Sequence, residues 1–295
     1  MEFSIDPTLN IVVHHDADAL TALFGLPVAD RLAALDAINR IAEKDPIAPM
    51  LAAAHQSGDG FRVTSDDPRY PEALRRMVQA DVWGQVQRDL ERAWSAVHQA
   101  LPSIQHPTRI DVQLTLGNPD DALFINQTLG YYGMGSMPGR IWLVQWPTDY
   151  NLTRIGAAAV HEFAHNLRYS NLGWTGSVGE WVIAEGLAEA FAVEVCGPES
   201  TGGWYAGLPQ AVVDEAEQKV LSSLETRQNA TAYVLGDATA VKMRGTAIGI
   251  PHMGGYAVGR RIVERYLEAT GKTAAAATAD AHEEILAPSG RQVER

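Results

Sequence analysis

Apolar residues recur every three or four positions over much of the chain, the spacing that buries one face of a helix. In Pro27–Ile41 that face carries Leu32, Leu35, Ile38 and Ile41. Tyr70–Leu101 repeats the pattern among mixed charges, as one long helix or a helix pair, and the polar stretch Ser57–Arg69 parts the two. Residues 1–105 accordingly read as a helical amino-terminal region of unassigned role. Pro102–Thr108, with its two prolines, suits a linker at its end.

Beyond the linker the period shortens to two. Ile110, Val112, Leu114 and Leu116 alternate in Arg109–Leu116 and predict a strand. Ala122–Asn126 and Gly139–Trp146 are read as a second and a third strand, and Gly130–Gly139, with four glycines and a proline, as a mobile loop. An edge strand at Gly139–Trp146 would suit pairing with an extended peptide. Helical spacing then returns over Asn151–Tyr169, Val178–Cys196, Pro209–Gln228 and Gly254–Thr270. The expected fold class is α+β: a small, mostly antiparallel sheet packed on one helix, with a largely helical remainder. Residues 106–295 form the second region, built around helices 151–169 and 178–196.

Composition narrows the function classes. A length of 295 residues suits one large domain or two small ones. The net charge of −13, without any dense basic run, disfavours a nucleic-acid partner. Cys196 is the single cysteine, so neither an intrachain disulfide nor a multi-cysteine zinc site is possible. No stretch approaches the apolar length of a membrane span. The first ten residues lack the basic and apolar segments of a secretory signal, so the expected location is cytoplasmic.

The chemistry concentrates in His161-Glu162-Phe163-Ala164-His165, inside the helix expected over 151–169. Residues four apart share a helix face, so both imidazoles can converge on one ion, while Glu162, rotated by about 100°, can act as general base without being a ligand. Ile155, Val160, Phe163 and Leu167 make the helix largely buried, and buried polar groups need partners. In the next helix Glu185 and Glu189 lie four apart among apolar residues. The 50 residues between Arg168 and Lys219 contain no Lys or Arg to neutralise them. One zinc ion per chain would supply the missing charge, with Glu185 as third ligand and a fourth position open to water. Glu189 is then placed to accept a hydrogen bond from the free ring N–H of a liganding histidine. Gly186 between them suits a close helix–helix approach.

This arrangement resembles the gluzincin branch of the zincin metallopeptidases. More closely, HEFAHNLR (161–168), AEGLAEAFA (184–192) and GGYAVGRRIVERYLEATGK (254–272) resemble the YjaZ-like family of predicted Zn-dependent proteases over roughly 109–288. The resemblance implies a zincin-like fold and hydrolysis of a peptide or protein substrate, without naming it. Tyr256 or His252, flanking the Gly254-Gly255 pair, would steady a developing oxyanion. Arg168, one turn after His165, would bind a substrate carboxylate or hold Glu189. A non-peptidase amide hydrolase on the same site is one alternative. The other is a binding or regulatory protein with a structural zinc, against which Glu162 argues, since a structural ion needs no base. His14, His15, His55, His98, His106 and His282 form no ligand pattern and are read as surface or packing residues.

Overall fold

Arg109–Leu116 forms the strand that its alternation predicts, and lies inside a four-stranded sheet in a computed structural model of the chain. The structure describes residues 2–41, 45 and 47–287, so the end of the 106–295 region, 288–295, lies outside the described residues. The strands are β1 (Phe3–Ser4), β2 (Asn10–Val13), β3 (His106–Pro107), β4 (Arg109–Leu116), β5 (Tyr131–Met134) and β6 (Arg140–Gln145). Helices α1 (Ala17–Leu23), α2 (Val28–Ile38), α3 (Ala48–Ser57), α4 (Arg69–Gln79) and α5 (Val82–Ala100) precede β4, and α6 (Ala122–Gln127) precedes β5. After the sheet come α7 (Ile155–Asn171), α8 (Val178–Cys196), α9 (Gly203–Ala206), α10 (Gln210–Leu221), α11 (Ala230–Val234) and α12 (Asp237–Lys242). The last are α13 (Gly254–Thr270), α14 (Ala274–Ala277) and α15 (His282–Leu286).

The sheet order is β2-β4-β6-β5, and only the β5–β6 pairing is antiparallel; β2–β4 and β4–β6 run parallel. The expectation of a mostly antiparallel sheet is therefore corrected. Parallel neighbours need a long crossover, which α1–α5 supply between β2 and β4. Both faces of such a sheet are covered, so even the polar positions of β4, Gln113 and Thr115, are buried. Gln113 satisfies its amide by donating to the Asn39 carbonyl.

Ala122–Asn126 is helix, not strand. Asp121 caps it by accepting from the Phe124 amide at 2.9 Å, and a short apolar run carries no period strong enough to tell the two apart. The glycine-rich tract is likewise partly ordered, because its first half is β5. β5, and not β6, is the sheet edge on that side. Residues 1–105 contribute two strands besides helices, and β3 within the expected linker pairs with β1. They share one sheet and one continuous apolar core with the rest, from Leu20, Tyr70 and Val86 through Val112 to Val160 and Ile262. Among the described residues no helix is long and apolar enough to cross a membrane.

α7 packs against the sheet, α5 and α8, and α8 packs mainly on α7 and α13. The α8–α13 crossing is backbone to backbone. A Cβ at Gly186 would collide with the Gly259 carbonyl, and one at Gly259 with the Val182 carbonyl oxygen. The close approach expected at Gly186 is thus met by a second glycine across the interface.

His55 gives the fold a pH dependence that can be measured. It is buried, and its Nδ1 lies 3.1 Å from the Phe61 carbonyl. Burial pulls its pKa down from 6.5 to about 4. The unfolded chain therefore takes up this proton below its ordinary pKa, while the folded chain stays neutral until about pH 4. Stability contributed by the neutral ring is lost as pH falls through that window, by on the order of 3 kcal/mol. Denaturant unfolding at pH 7 and pH 4.5 should show a larger loss for the wild type than for His55→Gln. Equal losses would contradict this account.

Candidate metal centre

α7 is held by side-chain amides at both ends of its buried face. Before it, Asn151 donates to the carbonyls of Leu129, Gly130 and Trp146 at 3.0, 3.2 and 2.9 Å, and accepts from the Thr148 amide. Beside the second histidine, Asn166 donates to the carbonyls of Gly135 and Arg140 and accepts from the Gly139 amide at 2.7 Å. The β5–β6 hairpin is thereby pinned onto the helix that carries the motif. Neither asparagine was singled out from the sequence. Their signal was an amide side chain on an otherwise buried stretch, which has to find partners.

His161 and His165 project from one face of α7, with their Nε2 atoms 3.1 Å apart. Glu185 of α8 brings Oε2 to 3.0 Å from His161 Nε2 and 3.2 Å from His165 Nε2. All three residues are buried. Donors 2.0–2.2 Å from a tetrahedrally coordinated zinc ion stand about 3.3–3.5 Å apart, so this triangle fits the ion with a small dilation. Two imidazoles and one carboxylate also match its ligand preference. Among the described residues, these three are the only group of acidic, histidine or cysteine side chains whose donor atoms converge in this way.

The remaining contacts orient the donors. Trp181, one turn before Glu185, donates its indole N–H to Glu185 Oε1 at 2.9 Å and leaves Oε2 facing the histidines. Glu189 Oε1 lies 3.1 Å from His161 Nδ1, which fixes that ring with Nε2 toward Glu185. His165 Nδ1 is buried without a hydrogen-bond partner among the described residues. Each imidazole has a tyrosine ring parallel to it, Tyr256 against His161 and Tyr169 against His165, both at 6.0 Å.

Charge follows from this packing. Among the described residues, no Lys or Arg forms an ion pair with Glu162 or Glu185. Burial works against a charged His161, but the carboxylates of Glu185 and Glu189 outweigh it and hold its pKa well above the ordinary value. Burial likewise raises Glu185, yet His165 and His161 bring it below the usual carboxylate range. For Glu162 burial wins over the two histidines, and its pKa is raised.

Glu162 lines a cavity together with Tyr131, Arg154, His161, Glu189 and Tyr256. β5 crosses directly over it. A Cβ at Gly133 would collide with the Glu162 side chain and one at Gly135, just past β5, with its backbone, so only glycine lets this segment lie so close. Burial, then the charges of Glu185 and Glu162, keep the Tyr256 phenol protonated.

Two expected residues lie elsewhere. His252 donates from Nε2 to the Gln127 carbonyl at 3.0 Å and does not line the cavity. Arg168 is buried and donates Nη1 to the carbonyls of Thr278 and Asp280, at 3.3 and 2.8 Å, so it ties the carboxy-terminal segment to α7 and not Glu189 to the site. Trp181 and Arg154 were missed by sequence reasoning. Trp181 was legible as a donor four residues from Glu185 on the same face.

Outer contacts of this kind typically change metal affinity by about 10–100-fold. In a chelator competition, Trp181→Phe and Glu189→Ala should each weaken zinc binding within about that range, and Glu185→Ala should weaken it more. Wild-type affinity in Trp181→Phe would remove the orienting role of the indole.

Comparison with known proteins assigns the chain to a family. Residues 90–287 match the family model described as predicted Zn-dependent protease (DUF2268). The chain is also 33% identical over 143 residues to the uncharacterized protein YjfC of Bacillus subtilis (strain 168), a match covering 47% of this chain and 48% of that protein. The match thus spans about half the length of that relative. No solved structure matches the chain. Because the family model covers well over half of the sequence, including α7, α8 and α13, the chain belongs to the family of predicted Zn-dependent proteases.

Proposed function

We propose that the chain is a zinc metallopeptidase of the zincin type, with His161, His165 and Glu185 as ligands and Glu162 as general base. The observation that carries this reading is the buried triangle of three donors beside a carboxylate that is not one of them. A structural zinc site is closed by four protein ligands, whereas a catalytic one keeps a position for water or substrate. Among the described residues a fourth donor is absent from the group.

A zinc ion held by His161, His165 and Glu185 would supply Lewis acidity toward a carbonyl and would lower the pKa of water to about 7. The chain's own groups do the rest. Glu162 accepts the proton of the attacking water and passes it to the departing amine; its burial and raised pKa suit both halves of that transfer. Tyr256, held against His161, donates its O–H as negative charge develops on the carbonyl oxygen. Its alternative, His252, has Nε2 bonded to the Gln127 carbonyl, which supports Tyr256 in that role. Glu189 keeps His161 in the tautomer that presents Nε2. β5, as the sheet edge beside Glu162, offers backbone groups along which an extended peptide can lie.

A peptide-library digest with metal analysis tests the reading. The zinc-loaded wild type should cut peptides. Glu162→Gln should keep about one zinc per chain and lose at least about 10²-fold in rate, the usual minimum for a general base. Loss of zinc in that variant would make Glu162 a ligand, and full activity would remove it from the mechanism. Tyr256→Phe should hold zinc and lose about 10²–10³ in kcat. An untouched library together with hydrolysis of small non-peptide amides would replace the peptidase by an amidohydrolase.

A further inference from the structure

The cavity continues from the metal site along α7, and its far end carries a cation. Arg154 immediately precedes α7, seven residues before His161, and so lies on the same side of the helix about 10 Å further along its axis. Among the described residues it is the only Lys or Arg lining this cavity. Between it and the histidines the helix presents the small side chains of Ala157 and Ala158 to the cavity.

The guanidinium is fixed without a counter-ion. Its Cζ sits 4.0 Å over the Tyr150 ring, and Nη1 donates to the Tyr150 carbonyl at 2.7 Å. Among the described residues its buried Nε has no hydrogen-bond partner and no carboxylate lies within ion-pair distance. Two acids line a neighbouring cleft with Arg154: Asp89 is paired with Arg92 at 2.7 Å, and Glu199 forms no ion pair with Arg154 among the described residues. The acids of the cavity itself, Glu162 and Glu189, stand beside the histidines. A pre-oriented guanidinium at the end of the cavity away from those acids is a carboxylate receptor, since its planar fork matches that group.

We propose that Arg154 binds a carboxylate of the substrate and thereby selects which bond is cut. This rests on the peptidase reading above. An extended chain advances about 3.3–3.6 Å per residue, so a span of about 10 Å places that carboxylate two or three residues from the scissile bond. The carboxylate is either the chain terminus of the peptide or the side chain of an Asp or Glu.

Matched peptide pairs test this on the zinc-loaded full chain. One pair differs only in a free or amidated carboxyl terminus two or three residues from the cut, the other only in Asp or Asn at that distance. The carboxylate member of one pair should be cut with a kcat/KM at least about tenfold higher, as a charge-assisted hydrogen bond implies. The pair that responds identifies the source. In Arg154→Met the ratio should fall toward one, and in Arg154→Lys part of it should remain. Binding of the same pairs to Glu162→Gln protein, followed by fluorescence anisotropy, should show the same ratio without turnover. A wild-type ratio near one in both pairs overturns the proposal, whether or not Arg154→Met folds, and so does a ratio that survives in Arg154→Met. A library left wholly uncut instead overturns the peptidase reading, and this subsite falls with it.

Discussion

Glu185 is a carboxylate buried between two helices, with two imidazoles as its ionic partners. Burying such a group unpaired costs several kcal/mol, so α8 can dock on α7 only in the register that sets Glu185 against His161 and His165. The rest of the site follows from that register. Glu189, one turn later on α8, meets the other nitrogen of His161, and Trp181, one turn earlier, meets the other oxygen of Glu185. A dication with nitrogen and oxygen preference is the partner that such a cluster satisfies best.

The scaffold keeps these helices at the required distance by removing side chains. Gly186 and Gly259 bring α8 and α13 into backbone contact, which carries Tyr256 to the face of His161. Gly133 and Gly135 do the same for β5 and the residue just past it over Glu162. Asn151 and Asn166 convert the approach into fixed geometry, since each saturates several backbone groups of the hairpin that α7 supports. The sheet, helices and site are one packed unit, in which β2 and α5 from the first hundred residues contribute to the layers around α7.

What was legible in the sequence was whatever obeyed a helical period. The ranges of α8 and α13, the presence of α7 (with its start four residues later than expected), and the shared faces of His161 with His165 and of Glu185 with Glu189 all follow from spacings of three and four. The parallel sheet was not legible, because strand direction is set by crossovers and not by alternation, and because Gln113 and Thr115 kept a one-sided pattern in a strand covered on both faces. Ala122–Gln127 was too short for its period to declare itself until the Asp121 cap was seen. Arg168 and His252 misled for one reason. Proximity in sequence to the motif says nothing about which carbonyl a side chain meets in space, here those of Thr278, Asp280 and Gln127.

The central claim is that one buried triangle of two imidazoles and one carboxylate holds a zinc ion with a position left open. X-ray absorption at the zinc edge, on protein purified without added chelator, tests it most directly. The account predicts one zinc per chain, four-coordinate, with two imidazole ligands and oxygen donors at about 2.0–2.2 Å, and no sulfur. A metal-free protein that refuses added zinc would contradict it, as would a zinc whose shell contains sulfur or lacks the two imidazoles.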